Sequence, residues 1–168
     1  MPLNTYIERV SQDDWAYAAL RGVFTKEFYR KLIGGLNNLE WSEAIQSFYR
    51  QREVNLHGVT YYDSLFNEQV RRKIARSVGV FFGVNVAIDF DISAHMMIKG
   101  DYIGPHTDSN EHGETHRMAV MLNDDWEATE GGVLLSLNDG DLSSIRDAWL
   151  PTANNGFLFE ISEQSYHA

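Results

Sequence analysis

Around Val84 the apolar residues of this chain change their period, and that change limits what it can fold into. Upstream, Val70, Ile74 and Val78 recur at i, i+4 and i+8, one face of a helix over roughly Asn67 to Phe82. Phe28, Leu32, Ile33 and Leu36 follow the same spacing behind Thr25, a good N-cap, and Gly34-Gly35 weakens the far end. Ser11 and Asp14 resemble a capping box ahead of Trp15-Ala16-Tyr17-Ala18-Ala19-Leu20, so a first helix is expected there, broken at Gly22. An irregular polar stretch then carries Trp41, Phe48, Tyr61 and Tyr62. Downstream of Val84 the apolar residues come in short β-branched and aromatic runs: Asn85 to Phe90, Met96 to Ile98, Met118 to Leu122, Val133 to Leu135 and Phe157 to Ile161. Gly100, Gly104, Gly113, Gly131, Gly140 and Gly156 punctuate them. Helices followed by short strands with frequent turns predict an α+β, mainly β domain, with the strands in a barrel or jelly roll.

With 168 residues, no repeat and no Pro-, Gly- or Ser-rich linker, the chain is expected to form one domain over 1–168. A helical buttress would occupy about 1–83 and a β-barrel catalytic half about 84–168. Fourteen basic against 24 acidic residues give a net charge of −10, which opposes phosphate backbones and anionic membranes. Arg71-Arg72-Lys73 is the one compact basic cluster, and its helical setting makes it a solvated face. The absence of cysteine excludes disulfides, thiolate zinc sites and a cysteine nucleophile. Met1-Pro2-Leu3-Asn4-Thr5 lacks the pattern of a signal peptide, and no apolar run reaches membrane-spanning length, so a cytoplasmic protein is expected.

Within the β half, Gly104-Pro105-His106-Thr107-Asp108 carries an imidazole and a carboxylate two residues apart. On a strand that spacing puts both on one face. They are two of the three ligand types of a 2-His-1-carboxylate site, the arrangement of non-haem Fe(II) oxygenases. A lone H-x-D is common, and this one gains significance only from the residues downstream of it. After a polar loop from Ser109 to His116, a strand opens at Arg117 and ends Met121-Leu122-Asn123. Trp126, the pair Gly131-Gly132, the strand Val133-Leu134-Leu135, the turn Asn154-Asn155-Gly156, the strand Phe157 to Ile161 and Ser165-Tyr166-His167 succeed it in that order.

This ordered set, covering about Met96 to His167, resembles the prolyl-4-hydroxylase-like Fe(II)/2-oxoglutarate-dependent oxygenases. The resemblance implies a double-stranded β-helix, a jelly-roll barrel, with His106, Asp108 and His167 as iron ligands and catalytic residues. It implies Fe(II) and 2-oxoglutarate as cofactors, with ascorbate a further candidate. The reaction would be hydroxylation of an unactivated C–H of a peptidyl prolyl residue, an amino acid or another small molecule, using O₂ and releasing succinate and CO₂. Asp108 occupies the position that related halogenases leave open for chloride, so oxidation without halogenation is expected. The family's cation for the far carboxylate of 2-oxoglutarate lies on a strand beyond the distal His, a strand expected to be missing here because only Ala168 follows His167. After Arg117 the only basic side chain is Arg146, in a segment expected to be loop. Either the natural chain continues, or Lys99 or Arg117 has taken the anchoring place.

The remaining histidines have plainer readings. His112 and His116 lie in a polar loop, solvated or facing substrate, and His57 and His95 are structural. Trp126 and Gly131-Gly132 read as an aromatic packed on a turn. The acidic loop from Asp108 to Glu114 would suit a neutral or cationic substrate, and the net charge disfavours a nucleic-acid demethylase. The alternative from another class is a non-catalytic cupin-like protein that senses a metal or ligand.

Overall fold

The computed structural model describes residues 6–11, 15–109 and 113–168. Its elements are β1 (Tyr6–Ser11), β2 (Tyr17–Arg21), α1 (Lys26–Gly34), β3 (Ser42–Ile45), β4 (Tyr49–Asn55), α2 (Thr60–Leu65) and α3 (Glu68–Phe82). Then come β5 (Ser93–Met96), β6 (Tyr102–Ile103), β7 (His116–Val120), β8 (Leu134–Leu137), β9 (Ile145–Trp149) and β10 (Gly156–Glu160). The period-based helices at α1 and α3 form where expected. Thr25 Oγ1 accepts from Phe28 N at 3.4 Å and Asn67 Oδ1 from Val70 N at 3.2 Å, each satisfying an otherwise orphaned helix-start donor. Gly83, at φ 71°, ends α3 in the left-handed conformation that costs glycine nothing.

The first half is less helical than expected, since it also supplies four strands. Trp15 to Leu20, expected as a helix, instead leads into and forms β2. A short continuous apolar run fits a strand buried on both faces as well as it fits a helix. Here the two-faced strand wins, because β2 lies between β1 and β10 in an antiparallel sheet of order β1-β2-β10-β7. Ala18, Leu20 and Leu158 face a core shared with the three helices. Tyr17, Phe157 and Phe159 face the other way and join Trp15 in an aromatic cluster. Gly156 opens β10 because a Cβ there would stand 2.8 Å from Ala119 O and 2.9 Å from Val23 Cγ2. Ser11 ends β1, and Asp14, its expected capping partner, lies outside the described residues.

A second sheet runs β3-β4-β5, with β6 also pairing β4, and β8 and β9 form a hairpin. Two further expectations need correction. Asn85 to Phe90 is irregular, and packs Val86 and Phe90 against the helical core without a strand partner. Arg146, expected in a loop, lies on β9. Among the described residues the sheets do not close into a barrel: β7 pairs only β10, and β5 pairs only β4. The fold is thus mixed and mostly sheet, as expected in class, and the expected barrel is not closed among the described residues.

Candidate metal centre

His106 and His167 are brought together by main chain. His106 N donates to His167 O and His167 N donates to His106 O, both at 2.9 Å. On its other side the His167 segment runs along β8, where Leu137 N donates to Tyr166 O at 2.9 Å and Leu135 N to Ala168 O at 2.8 Å. Ser165 Oγ, fully buried, donates to Thr107 O at 2.7 Å and so ties the same segment to the residue between His106 and Asp108. Nothing in its sequence setting distinguishes Ser165 from an ordinary turn serine.

Asp108 reaches the pair by a different route from the one its spacing suggested. Of the H-x-D residues, His106 takes part in a β-bridge and Asp108 does not; Asp108 has φ 60°, the left-handed region. For a non-glycine residue that conformation costs about 1–2 kcal/mol, a strain Asp tolerates better than most. It turns the carboxylate back onto the imidazoles: His106 Nε2 is 3.3 Å from Oδ1 and His167 Nε2 is 3.2 Å from Oδ2. Ligand atoms of the three residues all lie within 4.8 Å of one another.

The protonation pattern of this cluster suits a cation. His106 Nδ1 is 2.9 Å from Gly104 O and His167 Nδ1 is 2.8 Å from Ser165 O. A carbonyl only accepts, so each Nδ1 carries the proton and, in the neutral ring, each Nε2 turns a lone pair toward Asp108. Asp108 Oδ2 is buried without a hydrogen-bond partner. Lone pairs on two imidazoles and a carboxylate, converging on one small volume, repel unless something positive lies among them. Two neutral imidazoles and a carboxylate are also the donor set Fe(II) takes in oxygenases. The residues therefore fit the metal.

Burial pushes the Asp108 carboxyl up, but hydrogen bonds from His106 and His167, donated when a proton on Nε2 takes the cation's place in the metal-free protein, together with the Arg117 guanidinium outweigh it and hold the carboxyl far below the usual carboxylate range. A folded-state pKa below the unfolded one contributes stability above the unfolded value, about 4, and loses it as pH falls further. The stability difference between the metal-free protein and Asp108→Asn should therefore change steadily as pH drops below about 5, against the native chain. Urea unfolding across that range reads it, and a constant difference would contradict the assignment.

Aromatic rings wall the centre. Phe48 stacks on His106 at 4.9 Å, and Phe159 lies 4.8 Å from the His167 ring. Both are visible in the sequence only as hydrophobes. Arg117, on β7, pairs with Asp108 Oδ1 at 2.6 Å and with Glu114 Oε2 at 2.6 Å. Lys99 is exposed in the turn between β5 and β6. His116 packs against Phe82 at 4.5 Å, His95 meets Ser93 Oγ at 3.1 Å, and His57 is exposed near Asp63. His112 lies outside the described residues. Trp126 Nε1 donates to Gly131 O at 2.8 Å, and Gly131 and Gly132 have φ of 71° and 73°, which is the expected packed turn.

No family model matches the chain, and no curated protein does. Among solved structures it is similar to a prolyl-4-hydroxylase of Pseudomonas putida, at 16% identity and a TM-score of 0.64, over 90% of this chain and 83% of that one. The likeness is one of fold. A His-Asp-His group able to hold a metal thus sits in a hydroxylase-like fold.

Proposed function

We propose that this chain is an Fe(II)- and 2-oxoglutarate-dependent dioxygenase. It would hydroxylate an unactivated C–H of a peptidyl prolyl residue, an amino acid or another small molecule. The observation that carries this reading is the convergence of His106, Asp108 and His167 in a fold shared with a prolyl-4-hydroxylase. On this reading the sheets belong to a double-stranded β-helix, the chain is one domain, and His106, Asp108 and His167 hold the iron. Bound there, iron with 2-oxoglutarate and O₂ supplies the oxidation, with succinate and CO₂ as co-products.

The chain's own contribution is placement and shielding. The Gly104 and Ser165 carbonyls keep both imidazoles in the tautomer that offers Nε2. Phe48 and Phe159 cover one face of each imidazole. Of Lys99 and Arg117, the two candidate cations for the far carboxylate of 2-oxoglutarate, Arg117 is the one beside the triad. Both its terminal nitrogens already have carboxylate partners, which an incoming anion would have to share. The net charge of −10 supports a neutral or cationic substrate and disfavours nucleic acid and membrane surfaces as partners. Among the described residues no helix is long and apolar enough to cross a membrane, which is compatible with the cytoplasmic setting we propose.

Succinate formation under air tests the reading directly, with Fe(II), ascorbate and a panel of peptides and amino acids. Oxidised product with stoichiometric succinate is expected. A zinc-filled protein that never consumes 2-oxoglutarate would replace it with the metal-sensor alternative.

A further inference from the structure

We propose that Arg117 makes Asp108 a one-oxygen ligand, by taking Oδ1 and leaving Oδ2 for the metal. This positioning role rests on the reading of the triad as a metal centre. The two carboxylate oxygens are presented almost evenly, Oδ1 to His106 at 3.3 Å and Oδ2 to His167 at 3.2 Å. A metal among them could take both, filling a position that an exogenous ligand needs. Arg117 breaks the symmetry. Its Nη1 lies 2.6 Å from Oδ1, the length of a strong charge-assisted hydrogen bond, whereas Oδ2 is buried with no hydrogen-bond partner.

The guanidinium is well placed to hold that choice. Glu114 takes its Nη2 at 2.6 Å, which offsets the positive charge beside a metal and fixes the plane of the fork. Arg117 also pairs in register with Phe159 across β7 and β10, and opposite residues of an antiparallel pair share a face. The ring of Phe159 lies against His167, so one rung of the sheet sets both a ligand imidazole and the partner of the ligand carboxylate. Asp108 has little room to turn away, because its side chain is only 10% exposed.

Co(II) is the probe, added to the full metal-free chain, because its visible d–d bands weaken as coordination number rises. The native chain and Arg117→Lys should bind one Co(II) with the same band intensity and should give a new band with azide. Arg117→Met should still bind Co(II) but with weakened bands and loss of the azide band, because the freed Oδ1 fills the open position. Unchanged bands and azide response in Arg117→Met would overturn the role of Arg117 while leaving the triad intact. Failure of the native chain to bind Co(II) at all would overturn the metal-centre reading, and this inference with it. If Arg117→Met does not fold, Glu114→Gln carries the comparison: loosened guanidinium contact should weaken both signals, and no change in either counts against the role.

Discussion

Asp108→Ala should bind Fe(II) at least about 100-fold more weakly than the native chain while remaining folded, since loss of even a partner one contact further out commonly costs 10–100-fold. The substitution deletes the only carboxylate of the triad, and two imidazoles alone neither neutralise the metal nor complete the donor set. Folding should survive because the segment is held by main-chain bonds between His106 and His167 and by Ser165, none of which involves the Asp108 side chain. Arg117 keeps its second carboxylate, Glu114. Anaerobic Fe(II) titration with far-ultraviolet circular dichroism measures both halves of the prediction. Native-like iron affinity in the alanine variant would remove Asp108 from the centre.

Phe157→Ala should be the most damaging single truncation for stability, lowering it by about 3–5 kcal/mol. Phe157 is completely buried and touches the rings of Trp15, Tyr17, Trp149 and Phe159, with centroids 4.5 to 6.0 Å away. Four surrounding aromatic side chains, all fixed on strands or against them, cannot collapse into the space left. Against a total of roughly 5–15 kcal/mol for an ordinary domain, such a loss leaves little margin. Phe48→Ala removes a side chain of the same size that is 37% exposed, and should cost much less. Urea midpoints of the two variants decide it, and equal losses would show that the aromatic cluster does not anchor the fold.

Much of this arrangement is legible from residue types and spacing. Thr25 and Asn67 with the apolar residues behind them define α1 and α3, and Met118, Leu134 and Phe157 mark real strands. The H-x-D pair and the distant His167 do converge. The rest is set by tertiary context. Tyr17 to Leu20 is apolar at every position because two different cores flank β2, and a run without alternation carries no period to read. The polar β3 and β4, Ser42–Ile45 and Tyr49–Asn55, gain their stability from pairing with each other and with β5. Asp108 joins His106 through a left-handed turn, and no spacing rule on a strand describes that. Phe48, Ser165 and Glu114 reach the centre through contacts made only in the folded chain.

The reciprocal main-chain bonds between His106 and His167 also bear on when the donor set exists at all. The two imidazoles belong to segments far apart along the polypeptide, and nothing short of β8, the His167 segment and the Thr107 loop all being in place puts them on the same cation. A ribosome-bound chain that has released His106 holds at most a fragment of the donor set. On the metal-centre reading, a cation meets the full donor set only once these segments have paired.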